Sequence, residues 1–165
     1  SGYGGVGGAG LYAGGGPAYG LADKPIEPGS GARAGWASGT QDGPFGGGGV
    51  QIRADDSVML SGQIVADGGP GVVSYGPAAS GGSIYIRCLT FIGDSNGLLQ
   101  ANGGKGYSNG GGGGGGRIAV WRANDSSPNP IATYADGGLG GYTNGEPGTI
   151  VWGWLPVSGT VIRFR

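Results

Sequence analysis

Apolar and polar residues alternate in four short triplets along the chain: Val50-Gln51-Ile52, Ile84-Tyr85-Ile86, Ile118-Ala119-Val120 and Ile150-Val151-Trp152. Their starts fall 34, 34 and 32 residues apart. The first three are followed by a second apolar stretch and by a tetrad: Ala66-Asp67-Gly68-Gly69, Ala101-Asn102-Gly103-Gly104 and Ala135-Asp136-Gly137-Gly138. The tetrads start 35 and 34 residues apart. Period-2 alternation predicts strands that bury one face, and helical periodicity is missing throughout. A fixed period in this range is the signature of a repeat architecture.

In the first unit Val50 and Ile52 are expected to point inward and Gln51 outward. Asp55-Asp56-Ser57 then turns into an apolar run at 58–60 and a further stretch at 61–66. The second unit repeats this with strands at 84–87, 89–92 and 98–101 around a turn at 93–97, and the third with strands at 118–121 and 131–134 around a turn-rich segment at 123–130. Two or three short strands per repeat predict an all-β fold, a short parallel β-helix or β-solenoid of three to four coils of about 34 residues. Val50, Ile84, Ile118 and Ile150 would then stack inside, with coils about 4.8 Å apart. The whole chain, 1–165, reads as one domain. Residues 1–45 form an atypical N-terminal cap, 46–148 the repeats, and 149–165 two C-terminal strands.

Glycine supplies 46 of the 165 residues, about four times its ordinary share of roughly 7%. It does not recur every third residue, which excludes collagen. The long glycine segments, such as 67–82 and 102–117, are expected along one side of the stack. They can pack there as ordered layers of polyglycine-II type, because glycine accepts φ > 0 and lets neighbouring backbones approach closely. A flexible linker is the alternative.

Net charge is −1, from 9 basic and 10 acidic residues. That gives no electrostatic footprint for nucleic acid, and Arg163 and Arg165 are too few to alter it. No segment approaches the ~20 apolar residues of a membrane-spanning helix. Ser1 opens the chain in place of Met, which leaves open a secretory signal upstream.

Histidine is absent, so no Ser-His-Asp or Cys-His arrangement can form within the chain. Cys88 is the single cysteine, expected as a buried thiol, with an intermolecular disulfide as the alternative. Neither a metal site nor a cofactor is predicted: the glycine pattern at 110–115 lacks a following helix, and Lys105 lacks the hydroxyl residue of a P-loop. Asp67, Asn102 and Asp136 occupy one repeat position. They read as turn residues, with a calcium-holding column as the alternative; Asp55-Asp56 reads likewise. Arg53 and Arg87 would stack on an outer face, the one feature that suggests a polysaccharide lyase, but no cleft is visible and no catalytic residue is assigned.

Tyr75, Tyr107 and Tyr142 each follow a tetrad, where they could stack on sugar rings or cover glycine backbone. Trp36, Trp121, Trp152 and Trp154 read as core, cap or interface residues. Asn124-Asp125-Ser126 is an N-glycosylation sequon.

The motifs Tyr3-Gly4-Gly5-Val6-Gly7-Gly8, Pro28-Gly29-Ser30-Gly31, Gly81-Gly82-Ser83-Ile84-Tyr85-Ile86, Ala101-Asn102-Gly103-Gly104-Lys105-Gly106 and residues 112–120 cover most of the chain. Their wording resembles a glycine-rich repeat of large secreted and cell-surface proteins of microbes and protists. The resemblance implies a β-helical extracellular module and carries no catalytic site.

A short stack exposes strand edges at both ends. The expectation is therefore a non-enzymatic structural protein, extracellular or on the cell surface, that self-assembles head-to-tail or laterally into a filament, appendage or matrix. Tyr3, Val6, Leu11 and Tyr12 would form one end of the interface, and Trp152, Trp154, Val161, Ile162 and Phe164 the other. The alternatives are a monomeric carbohydrate-binding or adhesion module using Tyr75, Tyr107 and Tyr142, and a polysaccharide lyase.

Overall fold

The computed structural model describes residues 1–33, 43–72 and 75–156. Trp36, Val161, Ile162, Phe164, Arg163 and Arg165 lie outside them.

Among the described residues eight strands form, all paired in parallel: β1 (Gly49–Arg53), β2 (Ser57–Leu60), β3 (Gln63–Val65), β4 (Ser83–Gly93), β5 (Leu98–Gln100), β6 (Arg117–Asp125), β7 (Ala132–Tyr134) and β8 (Thr149–Trp154). One sheet runs β1-β4-β6-β8, with β2 also on β4, and the other runs β3-β5-β7. Parallel neighbours need a return path for the chain, and here each coil supplies it, so the molecule is a short β-solenoid of about three turns. The predicted ladder is present: Val50 pairs with Ile84, Ile84 with Ile118, and Ile118 with Ile150.

Coil lengths adjust at the corners. The offset of 34 at Gly49↔Ser83 becomes 33 at Ser57↔Thr90 and 35 at Gln63↔Leu98. The first step absorbs an extra residue at the corner before β2, where Asp56 O accepts from both Leu89 and Thr90 N–H (2.9 and 3.0 Å), the mark of a bulge. The second comes from the longer turn before β5. In the second coil the first two predicted strands merge, since β4 runs unbroken through Arg87 and Leu89; in the third, β6 runs on into the predicted turn as far as Asp125, so Asn124 sits on a strand. Asn124 pairs with Thr90 and Asp125 with Phe91, which keeps the ladder going.

Between the sheets lies the apolar core of Leu60, Ile84, Ile86, Cys88, Phe91, Leu99, Ile118 and Val120, closed on the glycine side by Ala66, Ala101 and Ala135. Burial pushes the Cys88 thiol up from its ordinary value, and the native thiol is expected not to react with an aromatic disulfide reagent until the chain is unfolded.

Each coil then leaves the core as a glycine hairpin. Its outbound leg starts at the tetrad and its return leg leads into the next strand, with the same two bonds tying the legs in every coil. Gly82 and Ala79 N–H donate to Ala66 and Gly69 O; Gly116 and Gly113 to Ala101 and Gly104 O; Gly148 and Gly145 to Ala135 and Gly138 O, all at 2.7–3.0 Å.

The return leg of the second coil, residues 110–116, is seven consecutive glycines, all buried. It bonds in six directions. Gly113 and Gly116 donate to Gly104 and Ala101, Gly112 and Gly115 to Thr143 and Glu146, and Gly114 to Ser1; Gly111 and Gly114 accept from Ala78 and Gly81, Gly110 and Gly113 from Gly141 and Gly138, and Gly112 and Gly115 from Gly8 and Gly5. Partners recurring every third residue mark a threefold extended helix, so this is polyglycine-II packing. Residues 5–8 add a third layer over the outbound and return legs.

The reason for glycine is proximity. A Cβ at any of the seven would meet backbone atoms at under 3.0 Å, and Gly20 is the one described glycine with a left-handed φ, of 79°. Of the two steric properties expected of glycine, close approach is the one these layers use.

The N-terminal segment also crosses the outer face of the main sheet, which is why Tyr85 and Ala119 are buried as well as their inward neighbours. Arg117 anchors it: Nε and Nη2 donate to Tyr19 O (2.9 and 2.8 Å), Nη1 donates to Thr149 Oγ1, and the guanidinium lies 5.7 Å from the centre of the Tyr3 ring. Trp121 Nε1 donates to Asp23 O at 2.6 Å.

Tyr3 is fully buried, and its hydroxyl donates to Glu27 Oε2 (3.3 Å). Burial, then the nearby Glu27 carboxylate, raises its pKa to about 12. A tyrosine in the unfolded chain titrates near 10, so this group's contribution to stability is intact below pH ~10 and is lost as pH rises toward ~12. Urea midpoints measured at pH 9 and pH 11.5 are expected to drop less for Tyr3→Phe than for the wild type.

Candidate functional site: the tyrosine tip of the glycine hairpins

The three hairpins end together at the pole farthest from the apolar core. Tyr107 N–H donates to Gly76 O (3.0 Å), Gly110 N–H to Tyr107 O (2.8 Å), Gly141 N–H to Gly110 O (2.9 Å) and Leu11 N–H to Asn109 O (3.1 Å). These bonds place Tyr75, Tyr107 and Tyr142 at the tips of successive coils, with Leu11 and Tyr12 beside them.

All four tyrosines are exposed, Tyr12 at 69%, Tyr75 at 38%, Tyr107 at 54% and Tyr142 at 55%. The Tyr12 and Tyr75 rings lie 5.7 Å apart. Two tip residues hold left-handed backbone, Tyr75 (φ 60°) and Ser108 (φ 50°). For a bulky residue that conformation costs on the order of 1–2 kcal/mol and persists only where the surroundings impose it. Here the imposing structure is the glycine bundle.

The unequal spacing of these tyrosines from their tetrads hid their convergence. A better signal lies in Gly106-Tyr107-Ser108-Asn109-Gly110 and Gly141-Tyr142-Thr143-Asn144-Gly145, where the same aromatic-hydroxyl-amide sequence closes two hairpins. In the third coil both polar side chains are engaged: Thr143 Oγ1 donates to Ala9 O (2.9 Å) and Asn144 Oδ1 accepts from Gly140 N–H (3.0 Å).

Asp67, Asn102 and Asp136 stand one above another on successive coils, and the first two side chains bond across to the next coil. Asp67 Oδ1 accepts from Asn102 N–H (2.6 Å) and Asn102 Oδ1 from Asp136 N–H (2.7 Å), so these two side chains tie their coils to the next. Gln100 Nε2 also donates to Asp67 Oδ2. The tetrad is thereby explained residue by residue: alanine seals the core, Asp or Asn bonds the following coil, and two glycines start the outbound leg. Among the described residues no cluster of acidic, cysteine or histidine side chains is arranged to hold a metal ion.

The other sequence candidates are dispersed. Tyr3 is interior, and Val6 lies within the glycine layers, its carbonyl accepting from Glu146 N–H. Trp152 packs edge-on to Phe91 (5.4 Å), and Arg122 stacks over both Trp152 and Trp154 (4.9 and 4.3 Å). Asn124 is exposed. Arg53 and Arg87 are neighbours in register and exposed, and Arg53 stacks over Tyr85 (5.9 Å); the ion pair among described residues is elsewhere, between Arg122 and Asp125 (2.8 Å). Beside that pair is a cavity of about 390 Å³, lined by Phe91, Ile131 and Trp152 among others, at the open end of the core.

No family model, no curated protein and no solved structure matches this chain.

Proposed function

We propose that the protein is a non-catalytic structural module of a secreted or surface assembly, in which copies associate through the exposed faces of their terminal coils. One observation carries this reading: ladder positions that are fully buried in the second coil are partly open in the outer ones. Ile84, Ile86, Phe91 and Leu99 are 0% exposed, whereas Val50, Ile52, Val58 and Ile64 in the first coil, and Ile150 and Trp152 on β8 at the other end, are only partly covered.

Two further features support it. β1 and β8 each lack a strand neighbour on their outer side among the described residues, as do β3 and β7. Such edges recruit further strands unless they are blocked. The Asp136 carboxylate, last in its column, has no hydrogen-bond partner among the described residues, although Asp67 and Asn102 use theirs to hold the next coil.

Electron microscopy and light scattering of the untagged protein over a range of concentrations test the proposal. Fibres or mass growing with concentration are expected for the wild type, and a monomer for Val50→Lys, which places a charge in the outer rung. A wild type that stays monomeric at every concentration, or growth unaffected by Val50→Lys, would count against association through these faces.

A further inference from the structure

We propose that the tyrosine tip is a binding site for a neutral polysaccharide, separate from the coil ends that the assembly reading uses. The described tip residues 9–15, 70–72, 75–78, 105–111 and 139–145 contain one charged residue, Lys105. An ionic ligand would therefore find almost no counter-charge. What they offer instead is aromatic rings with hydroxyl and amide groups beside them, the chemistry that pairs the C–H face of a pyranose with its hydroxyl rim.

Three observations carry the assignment beyond the mere exposure of tyrosines. The rings come from the tips of successive coils, so Tyr75, Tyr107 and Tyr142 follow one another along the pole. The second coil's polar pair is uncommitted: the Ser108 hydroxyl and Asn109 carboxamide bond to no described residue, unlike Thr143 and Asn144. Finally, the rings are mounted on hairpins fixed by the glycine bundle. Tyrosine gives large contact area at low conformational-entropy cost, and a preset backbone lowers that cost further.

The arrangement predicts a division of labour. Tyr107 is the central ring, flanked by the two free polar groups, with Tyr75 and Tyr142 one coil to either side. A chain of several sugars is therefore expected to bind better than a monosaccharide.

Isothermal titration of the full chain with a soluble β-glucan, a β-mannan and a xylan, and with oligosaccharides of each, tests the site. Saturable binding to at least one is expected, weakened about 10-fold or more by Tyr107→Ala combined with Tyr142→Ala. Tyr134→Ala, an exposed tyrosine on β7 away from the tip, should leave affinity within about twofold, and circular dichroism should show all variants folded. Four outcomes would overturn the proposal: no saturable binding to any of these glycans, undiminished binding by the tip variant, an equal loss in Tyr134→Ala, or concentration-dependent mass that the tip variant abolishes, which would make the tip a self-contact.

Discussion

Gly113→Ala is expected to destabilise the protein by about 3 kcal/mol or more, a large effect for adding one methyl group. The methyl would collide with Ala79 O and Ala79 C, with Gly104 N also at 3.0 Å. All three are backbone atoms, so no side chain can swing aside. Relief requires the 110–116 leg to move away from the return leg of the first coil, and the two are held together by the bonds of Ala78 to Gly111 and of Gly81 to Gly114 (both 3.0 Å). Gly48→Ala is the matched comparison. Gly48 is exposed, has nothing within 4 Å of its Cβ position and lies outside the left-handed region. There alanine restricts the unfolded chain and is expected to be neutral or stabilising by up to about 1 kcal/mol. Urea denaturation of the two variants checks the contrast. Equal, small effects would mean that the glycine legs do not pack as closely as described.

Phe91→Ala is the second large effect, with an expected loss of about 3–5 kcal/mol. Phe91 is fully buried in the second coil and meets Trp152 edge-on at 5.4 Å. It also walls the cavity at the open end of the core, and truncation would enlarge that cavity toward the interior. Val58 occupies the same rung in the first coil, in register with Phe91, but is only partly covered. Val58→Ala is accordingly expected to cost about 1 kcal/mol, since a half-open site loses less transfer energy and can relax. A ratio of losses near one would mean that the first coil is covered as well as the second, and would weaken the assembly reading along with it.

The β-solenoid was readable from the sequence because its determinants are local and repeated. The triplet at Ile84 and the tetrad at Ala101 announce themselves in adjacent repeats, and stacking follows from their period. Features that depend on distant residues were not readable. Tyr3 resembles an interface aromatic in sequence, yet it is buried by Arg117, Tyr19 and Glu27, whose nearness depends on how the N-terminal segment crosses the sheet.

The glycine segments were only partly readable. Composition says that backbones can approach closely, but six-way bonding of residues 110–116 requires knowing that residues 1–8 return to lie against them. For the tip, the three loop tyrosines were recognised one by one, while their convergence on Tyr12, Ser108 and Asn109 depends on stacking the hairpins in space.

Amide-resolved hydrogen exchange of the native protein tests most directly whether the glycine run forms an interior. The amides of Gly112 to Gly116 each donate to a backbone carbonyl in a buried layer. They are expected to exchange among the slowest in the molecule, alongside those of β4. Exchange of these five amides at the rate of an unstructured chain, while β4 remains protected, would make the segment a linker and contradict the polyglycine-II interior.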